Sequence, residues 1–135
     1  MPVSITSLYA ALNALVLIGL AIRVSAVRRA AGINIGTGAH PGLERAVRAH
    51  ANAAENIPMG MVLLLTLELV GGAAWLLHAC GSLFVAGRVL HGWGLNRSAG
   101  ASFGRVAGMT LTWGIMAALA AANLLALAGL PAIRA

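Results

Sequence analysis

The chain has 135 residues, of which 60% are hydrophobic and 9% charged, with a net charge of +6. A water-soluble domain carries about 25% charged residues, and one core of this size has no room for so much apolar surface, which excludes an ordinary soluble fold. All basic residues are arginines spread among apolar segments, so no soluble basic patch for nucleic acid exists, and the lone Cys80 excludes an intrachain disulfide.

A bilayer span needs about 20 mostly apolar residues. The expected architecture is therefore an all-α integral membrane protein, a single domain over residues 1–135 with four transmembrane helices. The first apolar run, about 5–27, has no basic residue ahead of it, so it reads as a permanent helix instead of a secretory signal. A glycine-rich stretch from Gly32 to Pro41 follows, with the turn-former density of a loop. The second helix, about 41–70, opens at Pro41, carries Pro58 inside it and stops at Gly71-Gly72. At 1.5 Å per residue it is roughly 45 Å long, longer than the hydrocarbon layer, so its polar first half should protrude. The third helix covers about 73–95 and the fourth about 103–127, with Gly129 and Pro131 beyond it.

Arginines flank the connections after the first and third helices, and none flanks the connection after the second. The positive-inside rule puts those two connections in the cytoplasm and both termini outside. Small residues, among them Gly87, Gly104 and Gly108, permit close helix contact, between subunits as well.

The segment Glu44 to Glu55 holds the strongest signal. On a helical wheel Glu44, Arg45, Arg48, Asn52 and Glu55 share one face, and alanines fill most of the rest. Polar groups at such depth face protein, a cavity or a ligand. One reading is an arginine–glutamate network that locks helices, with Glu44 and Arg48 as an i,i+4 pair. The other is a polar pocket near the cytoplasmic surface. Arg88 and His91 lie one turn apart on the third helix, and Arg105 opens the fourth. Arginines converging from several helices, with too few carboxylates to neutralise them, make a site for a small anion.

The pattern Glu44-Arg45-x-x-Arg48-Ala49-His50-x-Asn52-x-x-Glu55, with Pro58 after it and Gly87-Arg88-Val89-x-His91 later, resembles the MAPEG family, membrane-associated proteins of eicosanoid and glutathione metabolism. The hydropathy layout is similar along essentially the whole chain. The resemblance implies a homotrimer of four-helix subunits that binds glutathione as co-substrate between subunits near the cytoplasmic face, with no metal. It implies that Arg48, Asn52, Glu55 and His91 contact glutathione, that Glu44 and Arg45 support them, and that Arg105 activates the thiol. Arg88 is a further candidate, as is an arginine at the end of the first span, Arg28 with Arg23 and Arg29 as alternatives. Leu95 and Val106 stand where eicosanoid enzymes of the family have a tyrosine and a serine, which turns the expectation from prostaglandin synthesis to a bacterial-type glutathione transferase or peroxidase of the inner membrane. Its second substrate would be a lipophilic electrophile or hydroperoxide arriving through the lipid; Trp93 and Trp113 fit interfacial or packing aromatics first and the lining of that route second.

Two other readings come from single residues. Glu68, deep in a span, would suit a small four-helix proton-coupled transporter. His78 and His91 on one helix would suit a b-type haem, for which only His50 is available as a partner on another helix.

Overall fold

The computed structural model describes residues 3–98 and 100–129. These form four helices: α1 (Ser4–Ala31), α2 (Pro41–Leu69), α3 (Ala74–Arg97) and α4 (Phe103–Leu127). Pro131 lies outside the described residues. α1 continues four residues past the expected 27 and ends at Gly32, whose φ of 66° closes the helix in the left-handed region. The arginine pair that ends the apolar run does not end the helix, because Arg28 to Ala31 are all good helix formers. α3 likewise runs two residues beyond the expected end, to Arg97. α2 starts at Pro41, with His40 as its N-cap: His40 Nδ1 accepts from the Leu43 N–H at 3.1 Å. The helix passes through Pro58 as one element.

α2 touches all three other helices, α3 also touches α1, and α3 with α4 is the most intimate pair. The surface is the reverse of a soluble protein's. Leu15, Ile22, Trp75, Trp113, Leu124 and Leu127 are exposed, whereas Asn13, Arg88 and Thr112 are fully buried. α1 and α4 are each long and apolar enough to cross a membrane. α2 and α3 have the length but not the uniform composition, because α2 carries Glu44, Arg45, Arg48 and Glu55 and α3 carries His78, Arg88 and His91.

At the end of the bundle formed by the start of α1 and the close of α2, polar groups serve as joints. α1 has no side-chain cap of its own. Glu68 supplies one from α2: its two carboxylate oxygens accept from the N–H groups of Ile5 at 3.0 Å and Thr6 at 2.7 Å. A carboxylate there answers both the orphan donors and the positive end of the helix dipole. Beside it, the Tyr9 hydroxyl donates to the His78 carbonyl at 3.0 Å. Asn123 Nδ2 donates across to the Leu63 carbonyl at 3.0 Å, tying α4 to α2. Between these joints lies an apolar core of Tyr9, Leu64, Leu67, Leu77, Cys80 and Leu119 with flanking alanines.

Candidate functional site

The opposite end of the bundle is built on glycine contacts. An added Cβ at Gly94 would run into the backbone of Gly104 and Arg105, and one at Gly108 would run into the backbone of His91 and Gly87. Backbone contact of this kind lets α3 and α4 approach more closely than side chains permit, and it sets Arg105 against the end of α3. Ser102 fixes the turn: its hydroxyl donates to the Gly94 carbonyl at 3.2 Å and accepts from the Arg105 N–H at 3.4 Å as the N-cap of α4. The guanidinium of Arg105 therefore projects from the first turn of a helix whose start is pinned to its neighbour.

Between these elements and the first half of α2 lies a cavity of about 350 Å³, lined by Pro41, Glu44, Arg45, Arg48, Asn52, His91, Leu95 and Arg105. Six of the residues singled out from the sequence thus share one space: Glu44, Arg45, Arg48 and Asn52 from α2, His91 from α3 and Arg105 from α4. Three guanidiniums face a single carboxylate. The anticipated Glu44–Arg48 ion pair does not form among the described residues. Arg45 Nε is buried and has no hydrogen-bond partner among them. A buried guanidinium nitrogen without an acceptor is costly unless something outside the chain supplies one.

Three of the sequence candidates lie elsewhere. Glu55 is exposed on the bundle surface, one turn beyond the cavity wall. The helical wheel gives it the same azimuth as Arg48, but it does not fix how far along α2 the cavity extends. Arg28 folds back on the glycine-rich loop, donating to the Gly36 carbonyl at 2.7 Å and the Ile33 carbonyl at 3.3 Å. Of its neighbours in sequence, Arg23 donates to Asn96 Oδ1 at 2.8 Å, and Arg29 is exposed. Arg88 is only 1% exposed and sits behind the cavity. It donates through Nη1 to Asn52 Oδ1 at 2.8 Å and through Nε to Thr112 Oγ1 at 2.9 Å, with Met109 Sδ at 3.6 Å from Nη2. None of these partners is charged.

Sequence reasoning missed Thr112, Ser102 and Gly94. Each carried a faint signal. Thr112 is a hydroxyl inside an apolar helix, Ser102 precedes a helix start in cap position, and Gly94 is spaced seven residues from Gly87 along α3.

A long apolar bundle with arginines gathered around a cavity at one end defines the class, a helical membrane protein. The chain belongs to the MAPEG family, whose model matches residues 6–125. It is also similar to the inner membrane protein YecN of Escherichia coli K12, at 35% identity over 120 residues, which covers 89% of this chain and 90% of that protein. The same protein of Escherichia coli O6:H1 matches equally.

Proposed function

We propose that the protein is a membrane-bound glutathione transferase, with hydroperoxide reduction as a related activity of the same site. The observation that carries this reading is the meeting of Arg45, Arg48 and Arg105 in one cavity with a single carboxylate, Glu44. Three positive groups against one negative leave an excess of two. Glutathione as a thiolate carries two carboxylates, one sulfur anion and one ammonium, an excess of two negative charges. The family membership and the likeness to an inner membrane protein support the same reading and an inner-membrane location.

In this scheme the tripeptide carboxylates pair with Arg45 and Arg48, by the bidentate geometry that guanidinium offers. Glu44 takes the ammonium. Arg105 stands at the sulfur. A free thiol has a pKa of about 8.5, and a guanidinium within about 4–6 Å lowers it by one to three units. The thiolate is the nucleophile. It attacks the electrophilic carbon of a lipophilic substrate, forming a C–S bond as the leaving group departs with its electron pair. With a hydroperoxide the sulfur attacks the terminal oxygen and the O–O bond breaks. The alkoxide takes a proton to leave as alcohol, and a second glutathione converts the sulfenic acid to disulfide and water. The apolar faces around Trp93 and Trp113, both exposed, suit entry of such substrates from the bilayer.

Glu55, exposed on the subunit surface near this cavity, fits a homotrimer in which a neighbouring subunit completes the site. All four helices would span the bilayer in that assembly, with the arginine-rich end cytoplasmic and both termini outside. The proton-coupled transporter is the weaker reading, because the Glu68 carboxylate is engaged as the cap of α1. The decisive experiment is glutathione titration of the purified protein, followed by thiolate absorbance in the ultraviolet. Saturable thiolate formation is expected. No thiolate and no thermal stabilisation by glutathione would overturn the assignment.

A further inference from the structure

We infer that Arg88 and Thr112 are a positioning pair that holds the Asn52 side-chain amide with its N–H donors turned to the cavity, so that the ligand group seated there must be a hydrogen-bond acceptor, a carboxylate or a peptide carbonyl. The inference deepens the glutathione reading and depends on it only for the ligand's name.

The polarity of every bond in the chain is forced. The Thr112 hydroxyl hydrogen is committed to the Gly108 carbonyl at 2.8 Å, so its oxygen is left to accept. Arg88 supplies the donors, Nε at 2.9 Å together with Nη2. A guanidinium has five N–H groups and no acceptor. The Asn52 atom that meets Nη1 at 2.8 Å is therefore the amide oxygen, since the flipped amide would oppose two donors. With the oxygen held, Nδ2 has no hydrogen-bond partner among the described residues, and Asn52 lines the cavity. Burial makes this orientation stiff: Arg88 is 1% exposed and Thr112 0%. The relay crosses three helices, from α4 through α3 to α2. Arg88 does not line the cavity beside Arg48; it borders a second cavity with Arg23 and Trp93, and its link to the first runs through Asn52.

The test has two arms, both on the purified full chain. In the first, without ligand, Asn52→Asp places a carboxylate against Arg88 and is expected to raise the melting temperature. The gain should vanish in an Arg88→Leu background, a double-mutant cycle that isolates the pair. A fall in melting temperature with Asn52→Asp, or a gain that survives loss of Arg88, overturns the proposed orientation. In the second arm glutathione is titrated. Asn52→Asp is expected to weaken binding at least about tenfold, in line with loss of a charge-assisted hydrogen bond, so stability and affinity move in opposite directions. Thr112→Val should weaken binding several-fold and Thr112→Ser should restore it, a rescue that simple loss of packing would not give. Unchanged affinity in both Asn52→Asp and Thr112→Val overturns the positioning role. Failure of the native protein to bind glutathione would instead remove the proposed function, while the ligand-free arm still decides how the amide is held.

Discussion

The two ends of the bundle use polar residues in opposite ways. At the end near Glu68, each named donor meets an acceptor inside the chain: the carboxylate caps α1, Tyr9 reaches His78, and Asn123 reaches Leu63. At the arginine-rich end, cationic groups gather around a cavity and leave capacity over, including Arg45 Nε and the Asn52 amide nitrogen. In a low-dielectric medium a satisfied polar group is a joint, and an unsatisfied one is a demand for a partner. Satisfaction alone does not separate the ends, since Thr6 Oγ1 beside the Glu68 cap is also buried without a partner among the described residues. Charge does, with three guanidiniums around a cavity at one end and a single carboxylate used as a helix cap at the other.

Mutations that touch only one end test this division. The largest effect is expected for Arg105→Ala, which should raise the pKa of the bound thiol by about two units, a roughly 100-fold change in its ionisation constant, and cut the thiolate present at pH 7 about 25-fold if the thiol returns to about 8.5. Ultraviolet absorbance on adding glutathione reads it, and an unchanged signal removes Arg105 from the mechanism. Next is Arg48→Ala, expected to raise the glutathione dissociation constant about 10- to 100-fold, the range for a hydrogen bond to a charged partner. Calorimetric titration measures this, with the melting temperature of the free protein held as the control. At the other end Glu68→Gln should cost about 1 kcal/mol of stability as the α1 cap weakens, with glutathione affinity untouched. Lost affinity there would break the separation between the ends. The smallest change is Ser102→Ala, which removes one cap, again about 1 kcal/mol or less. It should loosen the first turn of α4 and lower turnover more than it lowers affinity, because the turn carries Arg105. Equal losses in both would assign Ser102 to scaffold alone.

Much of the cavity wall is legible in the sequence. The α2 stripe works as a sequence signal because residues three and four apart share a helix face, and Glu44, Arg45, Arg48 and Asn52 do line one wall. Glu55 shares their azimuth but lies beyond the cavity, since a wheel carries no information about depth along the axis. Arg88 looked like a ligand contact because it is one turn from His91, yet its partners on α2 and α4 are 36 and 24 residues away in sequence. Arg28, with Arg23 and Arg29, is a site candidate only through the family resemblance, and the carbonyl partners of Arg28 belong to a loop whose path no periodicity describes.

The sequence alone determined that the chain is helical, apolar enough for a bilayer, divided at its glycine and proline turns, and marked on α2 by one polar face. Those properties follow from composition and from a repeat of 3.6 residues, both local. Only the tertiary structure decided that Glu68 caps α1, that Arg88 serves Asn52, and that Arg105 meets α2 across the glycine contacts of α3. These depend on which helices touch and at what height, and packing of the whole bundle sets both.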